Sequence, residues 1–429
     1  MKKVKFQVPT GMHDILPSEE AYFQKIYKSV ESISKFYGFQ KIDTPIVEDA
    51  EVFSKAVGIS TDIVEKEMYV FKTKGGDVLA LRPEGTAPIA RSYIEHGMFN
   101  LPQPIKFWYF GPFFRHERPQ AGRFRQFWQF GLEVFGEDSP IIDAELIQVF
   151  YTILKDLKFK NLIVEVNSIG DSQCRPYYKK LLSSYLRTHQ HSLCPKCQKK
   201  IKDNPLRVLD CKDDRCRDVV SRAPQMIDHL CEGCHNHFRQ VLEFLDGVEI
   251  PYRLNPYLVR GLDYYTRTVF EFIEDKHSDE NNERKMELLG GGRYDALVKL
   301  LGGKDVPACG GAMGIERIII AIKNREKEVL SETSPRIFLA QLGSLAKIKS
   351  LKLLEEFRKA NINISQSLSK NSLKTQLRIS DKMGVDYTLI LGQKEAISGM
   401  IIIRNMKTSK QETVLLENVI PIIKKRLKK

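Results

Sequence analysis

Between Ile105 and Gly136 the chain reads IKFWYFGPFFRHERPQAGRFRQFWQFGLEVFG. Strand residues alternate faces. On the second half of this stretch Arg125, Phe127, Gln129, Gly131 and Glu133 share one side, and the mainly apolar set from Gln126 to Val134 takes the other. On the first half Phe107, Tyr109, Gly111, Phe113, Arg115 and Glu117 fall together. The pattern predicts two strands carrying a floor of Arg115, Glu117, Arg125, Gln129 and Glu133 on an apolar backing, with Arg118 and Arg123 in the loop between them. Burying unlike charges costs free energy unless they are paired or bind something polar. Guanidinium groups suit phosphates, a phenyl face suits a base, and carboxylates suit an amine. The plain alternative is an amphipathic hairpin with a solvated polar face.

Four further stretches carry chemistry-bearing side chains. Leu81-Arg-Pro-Glu-Gly-Thr86 opens a helix that runs toward Tyr93, so Glu84 and Thr86 sit where backbone N–H groups lack helical partners. They serve either as caps or as ligand contacts. Tyr257 to Phe272 reads YLVRGLDYYTRTVFEF, and its adjacent tyrosines either pack into a core or face a ligand. Gly290-Gly-Gly-Arg-Tyr-Asp295 follows a polar loop, 275–286. Gly310-Gly-Ala-Met-Gly-Ile-Glu-Arg317 leads into a helix over Ile315–Ile322, with Arg317 in its first turn and glycines that admit close approach of a ligand. The phosphate loop GxxxxGK[ST] is absent from the sequence.

The cysteines form a separate pattern. Cys194 and Cys197 make one CxxC, Cys231 and Cys234 a second; Cys211 and Cys216 lie between them, and Cys174 and Cys309 complete the eight. Paired CxxC knuckles make a tetrahedral zinc site, with Cys194, Cys197, Cys231 and Cys234 as expected ligands and Cys211 and Cys216 as competitors. Unligated thiols in a helical segment are the alternative, and disulfides fit a cytosolic chain poorly.

The elements that must position these groups are signalled in order. Ser18 is the expected cap of a first helix with Glu19 and Glu20 in its first turn, an apolar stripe from Tyr22 to Tyr37, and Gly38 as its end. Phe39 to Pro45 reads as a strand, and Tyr69–Lys72 with Val78–Arg82 as a hairpin. Helix 141–157 and strand 162–167 follow the central hairpin. After a charged link, 323–334, strands and helices alternate to the end, as in an α/β domain of about one hundred residues.

Composition sets the bounds. The chain has 429 residues, 42% hydrophobic and 28% charged, which predicts a globular protein of two or three domains. No apolar run approaches the roughly twenty residues that span a bilayer, and the basic start lacks a following apolar segment, so the expected location is the cytoplasm. Net charge is +13, and residues 331–429 hold 19 Lys and Arg against 8 Asp and Glu, a net of +11. Such a basic domain points to a polyanionic partner or to a lysine-rich solubilising surface.

The hairpin segment FRHERPQAGRFRQFWQFGLEVFG resembles motif 2 of class II aminoacyl-tRNA synthetases in its histidyl form. The first helix, strand and Pro45 are similar to motif 1, LRPEGT to the histidyl segment that contacts the amino acid, YLVRGLDYYTRTVFEF with GGGRYD to the histidine signature, and GGAMGIER to motif 3. These follow one another over nearly the whole chain. One departure is Trp128, where bacterial members commonly have histidine; it falls on the apolar face, so repacking is the expected consequence.

The resemblance implies an α+β catalytic core over 1–325 with a mixed, mainly antiparallel sheet, a helical cysteine-rich insertion near 171–250, and a C-terminal α/β anticodon-binding domain over 331–429. It implies activation of L-histidine by ATP with Mg²⁺, transfer to tRNA(His), and a homodimer through motif 1. Arg115, Arg260 and Arg317 are then the cations of the reaction. Glu117, Arg123 and Phe127 join Arg115 and Arg317 around ATP. Glu84, Gly85, Thr86, Gln129, Glu133, Tyr264, Tyr265 and Tyr294 join Arg115 and Arg260 around histidine. Two rival readings share some of these features: a synthetase-like regulatory subunit of ATP phosphoribosyltransferase, and a non-catalytic tRNA sensor. The first should lack the basic C-terminal domain, and the second could lose Glu84, Arg115, Gln129 or Arg260.

Overall fold

The computed structural model describes residues 6–59, 61–120, 122–274, 287–325 and 336–427. The polar loop 275–286 and most of the charged link lie outside them. The chain divides into two compact units, Met1–Val329 and Leu330–Lys429.

In the first unit α1 (Pro17–Phe36) starts with proline at a first-turn position, where its missing N–H costs nothing. Its N-cap is Leu16 without a side-chain bond, so Ser18 lies inside the helix and is not the cap. Tyr22, Phe23, Ile26 and Val30 are buried, while Phe36 stays 83% exposed. The next strand is only β1 (Gln40–Lys41), shorter than the strand expected over Phe39–Pro45. The segment β2 (Val47–Asp49) and helix α2 (Ala50–Val57), capped by the Asp49 carboxylate, carried no clear sequence signal. With β3 (Tyr69–Lys72) and β4 (Val78–Leu81), β2 forms a small antiparallel sheet. Helix α3 (Thr86–Glu95) follows directly.

The central hairpin is β5 (Ile105–Phe114) and β6 (Gln126–Phe135). Its register pairs Phe107 with Glu133, Gly111 with Gln129 and Phe113 with Phe127, and Arg115 N–H continues it by donating to the Arg125 carbonyl at 2.9 Å. Within the paired residues the expected alternation holds, with Gln129 and Glu133 on one face of β6. After it come α4 (Pro140–Asp156) and β7 (Leu162–Ser168). The helical insertion holds α5 (Arg175–Thr188), α6 (Pro195–Asp203), α7 (Asp214–Val220) and α8 (Glu232–Gly247). Strands β8 (Tyr252–Leu254), β9 (Thr266–Glu274) and β10 (Glu287–Arg293), the short α9 (Leu297–Leu300), β11 (Ala308–Gly314) and α10 (Ile315–Lys323) complete the unit.

Eight strands form one sheet in the order β1-β5-β6-β11-β10-β9-β7-β8. The edge pairs β1–β5 and β7–β8 are parallel and the five inner pairs antiparallel, which is the mixed, mainly antiparallel sheet expected. Its apolar face is covered by α1, α4 and α10; Trp128 packs there against Phe23 and Phe110, with ring centroids 5.8 and 5.5 Å away. Arg293 of the GGGRYD segment is fully buried beneath the sheet, donating to Asp143 at 2.6 Å and to the carbonyls of Glu137 and Ser139. It is a packing anchor, and His237 of α8 adds a second contact to Asp143 at 3.4 Å.

The cysteine pairing differs from expectation. Each CxxC opens its own helix, Cys194 at the N-cap of α6 and Cys231 at the N-cap of α8. The four do not meet. Cys194 and Cys197 cluster with Cys211 and Cys216, whereas Cys231 and Cys234 cluster with Cys174 and Asp171. The intervening cysteines, ranked as competitors, are the true neighbours of the first knuckle.

The second unit has a five-stranded sheet: β12 (Ile337–Gln341), β13 (Ser365–Gln366), β14 (Tyr387–Leu391), β15 (Met400–Asn405) and β16 (Gln411–Leu415), ordered β13-β12-β14-β15-β16. Helices α11 (Ser344–Lys359), α12 (Leu373–Lys382), α13 (Gln393–Ser398) and α14 (Val419–Leu427) accompany it. Ser372 caps α12 through its hydroxyl. Among the described residues no helix is long and apolar enough to cross a membrane.

Candidate active site

The polar face of the large sheet is the floor of a cavity of about 470 Å³ in the first unit, within the usual size of a small-ligand site. The wall residues include Glu84, Gly85, Thr86, Arg115, Glu117, Arg123, Phe127, Gln129, Arg260, Tyr264, Tyr265 and Arg317. Side chains that lie up to 233 positions apart, counting from Glu84 to Arg317, thus converge on one space. The strands beneath have few side chains at its centre: Gly290, Gly311 and Gly314 line it as bare backbone.

One end of the cavity is rich in carboxylates and hydroxyls. The Glu84 carboxylate accepts from the backbone N–H groups of Thr86 and Ala87, each at 2.8 Å, so it does cap α3. It still faces the cavity, 4% exposed, and Tyr264 donates to it at 3.4 Å. Burial raises its pKa above the usual carboxylate range, against the opposing pull of those amides and of Arg115. Gln129 contributes a buried Oε1 that has no hydrogen-bond partner among the described residues. Glu133 and Tyr294 lie one layer lower, fully buried and outside the cavity wall. Thr86 donates to Glu133 Oε1 at 2.8 Å, and the Tyr294 hydroxyl donates to Oε2. Burial pushes the Glu133 carboxyl well up. The Tyr109 ring lies at the cavity wall against Gly85 and Gly131, where an added Cβ would come within 2.5 or 2.3 Å of it.

The other end is rich in arginine. Arg115 donates from Nε to the Pro83 carbonyl at 2.8 Å, and its guanidinium lies 5.4 Å from the Phe127 ring centroid. Arg123 of the hairpin loop pairs with Glu117 at 3.2 Å. Arg260 is held between Glu271 and Glu287, the latter at 3.0 Å, and lies against Gly290, where a Cβ would meet its Nη1 at 2.3 Å. Arg317 reaches the same Glu287, at 3.4 Å from Oε2 and 3.1 Å from the backbone carbonyl. Burial would raise the Glu287 carboxyl, but Arg260 and Arg317 outweigh it and pull it down to about 2. Burial dominates at Glu271, which is pushed up to about 7. One carboxylate thus holds two cations at fixed spacing.

Arg125 does not join the floor. Its guanidinium turns to the N-terminal segment, donating to the carbonyls of Thr10 at 3.2 Å and Glu117 at 3.3 Å. Arg125 precedes β6, and its N–H donates to the Gly11 carbonyl at 2.7 Å, so alternation along the strand does not fix where its side chain goes. Sequence reasoning also missed the cavity carboxylates Glu165, Asp210, Glu271 and Glu287, and Tyr109. Glu271 carried a signal, since it alternates with Phe270 and Phe272; Asp210 in the insertion carried none.

Chemically, one end suits a triphosphate and its base, the other an amino acid with a polar ring, and the two meet at Arg115. The family model for histidyl-tRNA synthetase matches residues 11–318, and one for an anticodon binding domain matches residues 339–426. The histidine–tRNA ligase of Dehalococcoides mccartyi is 44% identical over 98% of this chain and 100% of its own length. That of Caldicellulosiruptor saccharolyticus is 40% identical over 99% of this chain and 100% of its own. Among solved structures, apo histidyl-tRNA synthetase of S. aureus is 33% identical with a TM-score of 0.79, covering 97% of this chain and 99% of that one. With both family models in order along it and relatives this similar from end to end, the chain belongs to the histidyl-tRNA synthetase family.

Proposed function

We propose that this chain is a histidine–tRNA ligase. The carboxylate of L-histidine attacks the α-phosphorus of ATP, pyrophosphate leaves, and histidyl-adenylate remains. A ribose hydroxyl at the 3′ end of tRNA(His) then attacks the acyl carbon, and AMP leaves. The observation that carries the reading is the single cavity in which Arg115, Arg260 and Arg317 face the buried acceptors Glu84 and Gln129.

Arg115 binds the α-phosphate and the attacking carboxylate together, which aligns them and offsets charge developing in the transition state. Arg260 is the second cation at the α-phosphate, and Arg317 grips the far end of the triphosphate. Phe127 stacks on adenine with Glu117 near its amino group, and Arg123 reaches phosphate or the tRNA acceptor end. Glu84 and Gln129 take the ammonium: a buried carboxylate and an unpartnered amide oxygen both gain from a cation. Gly85 and Thr86 shape this end, and Tyr264 and Tyr265 close it. Glu133 and Tyr294 support the ring subsite from below, linked to it through Thr86. Mg²⁺ belongs to the ATP substrate and would offset the charge of its outer phosphates; Glu271 and Glu287 are the carboxylates of this chain that would face it at that end of the cavity.

The motif 1 region, with Phe36 exposed at the end of α1, is the proposed homodimer surface, and the place of action is the cytoplasm. The test is ATP–pyrophosphate exchange with each of the twenty amino acids, without tRNA. Exchange with histidine alone is the expected result. A folded chain that binds histidine but exchanges with none would leave the regulatory-subunit or sensor reading.

A further inference from the structure

The helical insertion gathers four thiols that the proposed reaction does not use. Cys194 caps α6, Cys197 lies in its first turn, Cys211 follows the 3-10 turn Pro205–Val208, and Cys216 sits in α7. Every one of the four sulfurs lies within 4.8 Å of the others, and those of Cys194 and Cys211 are 3.9 Å apart. Four zinc–sulfur bonds of about 2.3 Å in a tetrahedron give sulfur–sulfur edges of about 3.8 Å. A disulfide needs about 2.05 Å, and all eight cysteines are free. Cys194 N–H donates to Cys216 Sγ at 3.2 Å, a bond of the kind that supports a metal-bound thiolate. Three of the four are buried, within a core that also holds Leu193, Ile201 and Val219.

We propose that Cys194, Cys197, Cys211 and Cys216 bind one structural Zn²⁺, and that the metal fixes the adjoining segment at the wall of the active-site cavity. Cys211 lies between Asp210 and Lys212, both of which line that cavity. Just upstream, Arg207 donates to Asp263 at 3.0 Å and to the Gly261 carbonyl at 3.2 Å, and Asn204 donates to the same Asp263 oxygen at 3.0 Å. The cluster therefore anchors the turn that buttresses the loop leading to Tyr264 and Tyr265. This second part rests on the proposed activity; the metal assignment does not. The other group, Asp171 with Cys174, Cys231 and Cys234, differs in that its carboxylate already accepts from Gln173 N–H at 2.9 Å and pairs with Arg267 at 3.6 Å. It serves as the comparison.

The experiment uses the full chain, purified with a reductant and without chelator. Bound zinc is counted by mass spectrometry, and Co²⁺ is then exchanged in and its thiolate-to-cobalt charge-transfer band recorded. Cys211→Ser and Cys216→Ser are expected each to lose one equivalent of zinc and that band, and Cys231→Ser to retain both. An unchanged zinc count in Cys211→Ser, or a wild type that takes up neither metal, overturns the assignment. Where a variant fails to fold, alkylation of the wild type replaces it. Zinc should protect Cys194, Cys197, Cys211 and Cys216 until a chelator is added, and protection of any other set overturns the proposal. Removing zinc should also raise the KM for histidine in pyrophosphate exchange several-fold. An unchanged KM with the metal gone overturns the coupling alone, and absence of exchange in the zinc-loaded protein counts against the activity and not against the site.

Discussion

Arg260 is half-buried, held between two carboxylates and laid against a glycine, so its position is set before any ligand arrives. Arg260→Ala should therefore slow histidine-dependent pyrophosphate exchange by at least about tenfold, roughly 1.4 kcal/mol of transition-state stabilisation, with little change in histidine affinity measured calorimetrically. An unaltered exchange rate would remove Arg260 from the reaction. Glu316 offers a pH test. It accepts from Trp128 N–H at 2.8 and 3.1 Å, and burial pushes its carboxyl up to about 7 from the ordinary 4.5. Below 4.5 it is protonated folded and unfolded alike. Between 4.5 and 7 the unfolded chain releases a proton that the folded chain keeps, so stability falls as pH rises through that window. Glu316→Gln, neutral throughout, should raise Tm by about 2 °C or more above pH 7 and make no difference near pH 4.5. Equal shifts at both pH values would refute this. Most residues of the site were legible because each motif names its own members. Glu287 was not, because it becomes a cavity residue only when β10 pairs between β9 and β11.

At the scale of elements, the two glycine-rich strands explain how a sheet forms a binding floor. β10 and β11 pair glycine against glycine, Gly291 with Gly311 and Gly292 with Gly310, and they line the cavity with bare backbone at Gly290 and Gly311. A Cβ on Gly291 would meet the Gly310 carbonyl oxygen at 2.3 Å and the Gly311 Cα at 2.7 Å, neither of which can rotate away. Gly291→Ala should thus cost at least about 1–3 kcal/mol, read as a lowered midpoint in urea unfolding, and a midpoint within error of the parent would show that the strands can part. The hairpin's faces were readable from alternation, since both strands run ten residues with few interruptions. Short elements were not: β2 and β8 have three residues each, too few for a period to show. The cysteine grouping was unreadable for a different reason. CxxC spacing states that two thiols share a turn, but which turns meet depends on how α5 to α8 pack.

On the scale of the whole molecule, the two units carry separable tasks under the proposed function. The second has its own sheet and its own buried cores, built on Leu339, Leu389 and Ile401 and on Phe338 and Ile390. Its existence was legible from the charge asymmetry and the alternating strands and helices. Deleting residues 331–429 should leave pyrophosphate exchange within about twofold of the parent and reduce tRNA charging by at least about a hundredfold; parallel loss of both would mean the units depend on each other. The Glu287 hub adds a consequence for ionic strength. Arg260 and Arg317 already face an anion, so a triphosphate replaces one set of ion pairs with another, and little net counterion release accompanies ATP binding. The basic second unit, in contrast, meets a polyanion that sheds its condensed counterions, which makes affinity fall steeply with added salt. Raising KCl should therefore extinguish tRNA charging while adenylate formation persists, so that salt alone separates the two half-reactions in an intact enzyme.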